Sequence, residues 1–156
     1  MKKYYKLKEE QFINFPIEEV FSYFSNPANL QEITPKYLNF KIKTQPPFNM
    51  ATGQIFEYRL RVRGIPINWT SLISAYDPPY GFIDEQIKGP YSTWHHTHSF
   101  KSQGGGTLIV DEVKYSLPFG FIGRIVHSIW VKRDLAAIFK YRQEVIAENF
   151  ESISND

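Results

Sequence analysis

The sequence predicts an α+β fold in which a curved antiparallel sheet of about six to seven strands wraps around a long C-terminal helix. Residues 40–117 alternate apolar and polar side chains over short runs, which is the spacing of strands. Residues 124–151 change to the 3.6-residue spacing of an amphipathic helix. Two short helical segments follow the first predicted strand, so we expect the order strand, two short helices, about six strands and one long helix.

The first strand is predicted within residues 3–15. Pro16 follows it and suits the first turn of a helix, where a missing N–H costs little. Apolar side chains then recur at helical spacing: Ile17, Val20, Phe21 and Phe24. A second short helix, at about residues 28–33, should end before Pro35 because proline disfavours a helical residue in front of it.

The middle of the chain is divided by turn signals into strands at residues 40–43, 54–62, 67–75, 82–88, 91–101 and 107–117. The predicted turns are Gly64-Ile65-Pro66, Asp77 to Gly81, Gly89-Pro90 and Gly104 to Gly106. Because these connections are short, consecutive strands should be antiparallel neighbours in the sheet.

The long helix should begin at Arg124, after a connection at residues 118–123. Glycines flank the three large apolar side chains of that connection, which we expect to pack on one another; a lid over a pocket mouth is the alternative. Charged residues, Arg142 among them, are expected mostly outside the apolar stripe of the helix. The stripe consists of Ile125, Val126, Ile129, Trp130, Leu135, Ile138, Phe139, Val145, Ile146 and Phe150.

A helix about 40 Å long cannot contact a strongly curved sheet everywhere, so the space between them is expected to be hollow. The chain is also rich in aromatic residues, with 13 Phe, 10 Tyr and 3 Trp. Aromatic side chains fill cores and line ligand pockets. A pocket for an apolar or amphipathic small molecule is therefore the expected binding site.

Composition excludes several other classes of protein. The 156 residues fit one domain spanning residues 1–156, and the absence of cysteine removes disulfides and thiolate sites. The net charge is +2 with mixed signs, which argues against a nucleic-acid partner. No transmembrane segment and no secretory signal are visible, so we expect a cytoplasmic protein.

The residues most suited to chemistry lie on one predicted strand. Alternation places His96 and His98 on the same face as Trp94 and Phe100, and the two aromatic residues mark that face as buried. The imidazoles should therefore point towards the long helix. Neighbouring strands add further side chains, and the predicted ligand-binding residues are Tyr58, Leu60, Trp69, Asp84, Gln86, Trp94, His96, His98, Asp111, Tyr115 and Trp130.

Four interpretations of these polar residues stay open. The imidazoles satisfy one another and Asp84, Asp111 or Tyr115 in a buried network, or the network orients the polar end of a ligand. His96 or His98 with Asp84 or Asp111 are also candidates for general acid–base catalysis. Two imidazoles and a carboxylate would suit zinc or iron, but the spacing is weak evidence, and we expect neither a metal nor another cofactor.

The sequence resembles the START-like superfamily, also called SRPBCC, and within it a bacterial ligand-binding subfamily. The resemblance covers nearly the whole chain and is carried by residues 15–35, by Phe82, Asp84, Gln86, Gly89, Pro90, Tyr91, Trp94, His96, His98 and Phe100, and by Gly106, Thr107, Asp111, Val113, Tyr115, Pro118 and Gly120.

This resemblance implies the helix-grip fold. It also implies binding or transport of a hydrophobic or amphipathic molecule such as a lipid, a fatty acid, an isoprenoid or an aromatic polyketide. A cyclase or dehydratase that uses a His–Asp pair is the alternative.

Overall fold

Seven antiparallel strands form one sheet in the computed structural model, which describes residues 2–154. Met1, Asn155 and Asp156, which the predicted domain includes, lie outside the described residues. The order across the sheet is β1-β7-β6-β5-β4-β3-β2. The strands are β1 Tyr5–Ile13, β2 Lys41–Ile42, β3 Ile55–Val62, β4 Ile65–Asp77, β5 Gly81–Lys88, β6 Thr93–Gln103 and β7 Gly106–Ser116.

Short helical segments connect β1 to β2. Helix α1, Ile17–Phe24, begins directly after Pro16 as predicted. The second predicted helix is instead two 3₁₀ turns, Pro27–Leu30 and Lys36–Leu38. The reason is the spacing of Pro27 and Pro35, which limits a helix between them to about two turns and separates it from the second 3₁₀ turn.

Two of the hairpins use two-residue turns. Arg63 and Gly64 both have positive φ, 51° and 80°, and so do Gly104 and Gly105. Such turns match the right-handed twist of the strands they join. The predicted turn Gly64-Ile65-Pro66 is wrong, because Ile65 already pairs with Val62 in β4. Pro66 is tolerated there because the pairing of β4 with β5 begins only at Thr70.

The C-terminal helix is continuous from Gly120. It comprises α2, Gly120–Val126, a π-helical turn, His127–Val131, and α3, Lys132–Ser154. It begins four residues before the predicted start because Phe119, with φ of 65°, turns the chain sharply after β7. No helix among residues 2–154 is long and apolar enough to cross a membrane.

The helix buries only part of its apolar stripe. Leu135, Phe139, Ile146 and Phe150 of α3 are buried in the core. Ile129 and Trp130 are 50% and 44% exposed. The stripe therefore does not contact the sheet along its whole length, and its first turns stay exposed. The expected packing of residues 118–123 on their own aromatics is wrong, because Phe119, Phe121 and Ile122 are exposed.

The core beneath the helix is filled most densely next to α1. There Phe21 and Phe24 each place their ring 5.3 Å from the ring of Phe100, and Phe21 also contacts Phe82. Phe150 closes this cluster from the end of α3. A second, smaller cluster lies around Leu135 and Phe139, and the candidate site lies next to it.

Candidate functional site

The two inward-facing imidazoles of β6 form the centre of the candidate site. His96 and His98 are each only 4% exposed, and Phe100 is buried on the same face. His95 lies on the opposite face, where its Nδ1 is 2.8 Å from Oε1 of Glu85. The inward orientation predicted from alternation is confirmed.

Asp111 of β7 joins both imidazoles. Nε2 of His96 donates to Oδ1 of Asp111 at 2.9 Å. Nδ1 of His98 lies 2.8 Å from the same oxygen but without the alignment that a hydrogen bond requires. The two rings are 3.7 Å apart, and Phe82 stacks on His98 at 4.2 Å. The three polar side chains thus form one packed group, which we call the His–Asp network.

Burial controls the charges of the His–Asp network. It lowers the pKa of His96 to about 4, and it also lowers the pKa of His98. Burial alone would raise the pKa of Asp111, but the two imidazoles hold it well below its usual 3.8. At neutral pH the network is therefore one carboxylate between two neutral imidazoles, and it accepts a hydrogen bond from His96.

Asp84 of β5 lies next to this network and is less well satisfied. It is directly opposite His96 in the register of β5 and β6. Burial raises the pKa of Asp84, while His96 and the hydroxyl of Ser71 lower it by a smaller amount. Its Oδ1 is buried and has no hydrogen-bond partner among residues 2–154, although the residue as a whole is partly exposed. Because an unpaired buried oxygen is costly, Asp84 has an unused capacity to bind a polar group.

Arg142 of α3 also faces this region, which the sequence analysis missed. It follows Phe139 by three residues and precedes Ile146 by four, so it shares their buried side of the helix. Its Cζ lies 5.6 Å from the ring of Phe139, whose ring is also 5.6 Å from that of His96. Its charge contributes to the lowered pKa values of both inward-facing imidazoles.

The guanidinium of Arg142 has no ion pair or side-chain hydrogen bond within residues 2–154. The signal that could have identified Arg142 was its three- and four-residue spacing from Phe139 and Ile146. The expectation that Arg142 lies outside the apolar stripe is therefore wrong.

The sheet beside Asp84 is not fully covered by the helix. Leu60, Trp69 and Trp94 point inward but stay partly exposed. The indoles of Trp69 and Trp94 meet edge to face at 5.3 Å, and Trp69 donates from Nε1 to the hydroxyl of Ser71 at 3.0 Å. Tyr58, by contrast, is buried against Phe40. Partly accessible apolar surface thus borders the polar group.

Three of the predicted ligand-binding residues lie apart from the His–Asp network. Gln86 bonds the backbone N–H and C=O of Tyr91 and so holds the β5–β6 turn. The hydroxyl of Tyr115 is 2.9 Å from Nε2 of His127, and burial raises the pKa of Tyr115 to about 12. Trp130, expected in the pocket wall, is instead on the surface with the guanidinium of Arg63 over its ring at 5.3 Å.

Two open clefts lie outside the helix–sheet interior. One of about 700 Å³ lies between the 3₁₀ turns and α3, where Thr34, Phe40 and Tyr141 are among its lining residues. The other, of about 320 Å³, lies beside Phe119. None of the predicted ligand-binding residues lines either cleft. Both clefts are therefore separate from the predicted ligand site at Asp84.

The His–Asp network also has the donor set of a metal site. One donor atom from each of His96, His98 and Asp111 lies within 4.8 Å of the others. Neutral imidazole and carboxylate are ligands of zinc and iron. The same atoms contact one another in this structure, and the expectation of a metal-free site stays a prediction.

Solved structures share this architecture. A protein from Thermus thermophilus is 15% identical with a TM-score of 0.75, covering 96% of this chain and 99% of that one. Ginseng major latex-like protein 151 from Panax ginseng is 13% identical with a TM-score of 0.69, covering 94% and 97%. The di-domain ARO/CYC StfQ of the steffimycin biosynthetic pathway is 12% identical with a TM-score of 0.74, covering 98% of this chain and 52% of StfQ.

At these identities the likeness confirms the predicted helix-grip fold alone. No curated protein matches the sequence. The family described as polyketide cyclase/dehydrase and lipid transport matches residues 13–134, which is most of the chain. The chain therefore belongs to this family, within the SRPBCC superfamily.

Proposed function

We propose that the protein binds an amphipathic small molecule between the inward face of the sheet and α3. The candidates are a lipid, a fatty acid, an isoprenoid or an aromatic polyketide. The observation that carries this proposal is Asp84, whose buried Oδ1 has no hydrogen bond among residues 2–154 and which lies on the same face of the sheet as the partly exposed Trp69 and Trp94. A few polar groups in an apolar wall are typical of small-molecule sites. The family match supports ligand binding in general.

The two polar side chains at this place differ in what they bind. Burial raises the pKa of Asp84, and in its protonated form the carboxyl group can donate to a carbonyl or hydroxyl oxygen. Arg142 approaches from α3 and offers a cation to an anionic group. Both favour an oxygen-rich polar end on the ligand, such as a carboxylate or an enolised ketone.

The His–Asp network has a supporting role in this proposal. His96 lies directly opposite Asp84 in the sheet, and Asp111 holds His96 through the 2.9 Å hydrogen bond. A side chain whose neighbours are fixed holds its own orientation more firmly, which favours binding. The imidazoles thus position Asp84.

A fluorescence titration with 8-anilinonaphthalene-1-sulfonate tests this proposal, because the probe combines an aromatic body with an anionic group. Leu60→Trp should fill the apolar wall and weaken probe binding about tenfold, as the probe loses the area it would bury. Arg61→Trp is the matched control, since it adds the same side chain one position along on the outward face of β3. Oleate should displace the probe from the wild-type protein.

Equal probe binding by both variants would place the probe elsewhere and contradict the proposal. Weakening by Arg61→Trp alone would contradict it as well.

General acid–base catalysis is a second candidate function, favoured by the pairing of Asp84 with His96. A carboxyl group with a raised pKa lies opposite an imidazole with a lowered one, so an acid and a base face one ligand site. In a dehydrative aldol cyclisation His96 would accept the α-proton, the enolate would attack a ketone carbonyl to form the ring C–C bond, and Asp84 would protonate the resulting alkoxide. The Asp84 carboxylate would then accept the second α-proton while protonated His96 donates to the hydroxyl that leaves as water, which restores both residues.

Mass spectrometry of a linear poly-β-ketone thioester incubated with the protein tests this candidate. Loss of one water that requires both Asp84 and His96 would support it. An unchanged substrate would contradict catalysis, and ligand binding would then be the only proposed function. A cytoplasmic location and the lack of a nucleic-acid partner stay predictions.

A further inference from the structure

A group of exposed apolar side chains surrounds the start of the long helix. We call Phe119, Phe121, Ile122, Ile125 and Ile129 the docking face. Phe119, Phe121 and Ile122 are 79%, 66% and 64% exposed. Soluble proteins seldom leave so many large apolar side chains together in water, and such patches mark interaction sites.

Four of the five residues of the docking face lie on one side of the helix, and Phe119 directly precedes the helix. Phe121, Ile125 and Ile129 follow one another at four-residue intervals, and Ile122 lies beside them. The side turned to the protein is occupied instead by the buried Gly123 and the half-buried Val126 and His127. The apolar side chains therefore point away from the protein.

The sequence around the docking face contains cations and no carboxylates. Residues 113–133 contain Lys114, Arg124, Lys132 and Arg133 and no Asp or Glu. The next carboxylate, Asp134, is engaged by Arg63 through hydrogen bonds of 2.9 and 3.2 Å.

The cleft of about 320 Å³ beside Phe119 adds to this positive charge. It is lined by Lys2, Lys3 and Arg124 and by no acidic residue. Arg124 also lies over the ring of Phe121, at 5.5 Å from its Cζ to the ring centroid. Apolar and cationic groups are therefore interleaved on one surface.

We propose that the docking face binds the surface of a membrane that contains anionic lipids. Amphipathic helices that lie in a membrane interface combine Phe, Ile and Trp with Lys and Arg in this way. Anionic head groups match the cations by charge, and the acyl region accepts the apolar side chains. A second copy of this chain is the competing occupant, and it serves below as the competing outcome.

The docking face is also close to the open part of the helix–sheet interior. Trp130, the residue after Ile129, lies against Arg63 in the β3–β4 turn. The exposed Ile65 follows that turn on the inward side of β4. Membrane binding would therefore bring the partly covered side of the sheet close to the lipid, although the docking proposal does not depend on the proposed ligand.

Flotation of the full chain with vesicles tests this proposal. We expect binding to phosphatidylcholine vesicles that contain phosphatidylserine, and much less binding to phosphatidylcholine alone. Added salt should weaken the binding by screening the charges. The double substitution Phe121→Ser with Ile122→Ser should reduce the bound fraction on the order of tenfold.

Two control variants separate this surface from general effects. Ile153→Ser removes an apolar side chain that is 55% exposed near the other end of the same helix. Lys101→Gln removes an exposed cation near the far end of β6. It is the control for Arg124→Gln, which removes a cation beside the docking face. Both controls should bind vesicles like the wild-type protein.

Three results would overturn the proposal. One is no binding to either kind of vesicle, and another is equal loss in Ile153→Ser and in the double variant. The third is a concentration-dependent dimer in size-exclusion chromatography that the double variant abolishes, because the face would then be an interface between copies of this chain.

Discussion

His96 of β6 and Asp111 of β7 are joined inside the protein by a hydrogen bond of 2.9 Å from imidazole Nε2 to carboxylate Oδ1. The two residues are not directly opposite in the sheet, because Asp111 pairs with His98 and His96 pairs with Val113. The bond therefore runs diagonally, and one carboxylate oxygen contacts two imidazoles. Asp111 thus links two side chains of the wall beneath α3.

Removal of that carboxylate should destabilise the fold. Asp111→Ala leaves the His96 N–H buried without its acceptor, and we expect the free energy of unfolding to fall by about 3 kcal/mol. Guanidinium denaturation measures the change. Glu112→Ala, at the next and exposed position, should cost less than about 0.5 kcal/mol. Equal losses in the two variants would show that the His–Asp network does not stabilise the protein.

Stability should fall as the pH is lowered from about 6.5 towards 4. In this range the unfolded chain protonates His96, while the native protein, with a pKa of about 4, does not. The native state then binds fewer protons, so acid favours unfolding, by on the order of 3 kcal/mol for His96 at pH 4. His98, whose pKa is also lowered, acts in the same direction.

His96→Gln keeps an N–H donor but cannot titrate, so its stability should depend less on pH across this window. The outward-facing His95→Gln controls for the loss of an imidazole. An unchanged pH dependence in His96→Gln would contradict the assignment of a buried neutral imidazole.

Asp84 should affect stability with the opposite sign. Its native pKa is raised, so the native state holds a proton that the unfolded state releases above about pH 4. Stability is therefore lost as the pH rises towards the native pKa. Asp84→Asn, which cannot ionise, should unfold at a higher temperature than the wild type at pH 8, and the difference should shrink at pH 4. A variant less stable at both pH values would show that the carboxylate form is the stabilising one.

The three tryptophans should respond differently to a bound ligand. Trp69 and Trp94 line the inward face, while Trp130 lies on the surface. Binding of the anilinonaphthalene probe should quench the tryptophan emission of the wild-type protein. Trp69→Phe and Trp94→Phe should lose much of this quenching, whereas Trp130→Phe should keep it. Loss of quenching only in Trp130→Phe would place the probe on the docking face instead.

The sheet could be predicted well because alternation is a local property. Trp94, His96, His98 and Phe100 face inward for the simple reason that a strand turns every second side chain to the same face. The same rule holds for Asp84 and Asp111 on the neighbouring strands. The contact between His96 and Asp111 needs the register, which the short hairpin at Gly104-Gly105 sets and which the sequence pattern alone did not specify.

The packing of the C-terminal helix was less predictable, because the sequence of the helix does not show which of its turns will lie on the sheet. Helical spacing grouped Trp130 with Phe139, but only Phe139 has sheet beneath it. Arg142 was assigned to the solvent side by its charge, although its position belongs to the buried side. A long side chain can keep its charged end accessible while its stem packs inside, so residue type is a weak guide there.

The most direct test of ligand binding is a crystal structure of the protein with a fatty acid that carries bromine at the end of its chain. We predict an anomalous bromine peak beside Trp69 and Trp94 beneath α3, with the carboxylate directed towards Arg142 and Asp84. A peak only in one of the two outer clefts, or no peak in crystals grown with saturating ligand, would contradict a binding site between the sheet and the helix.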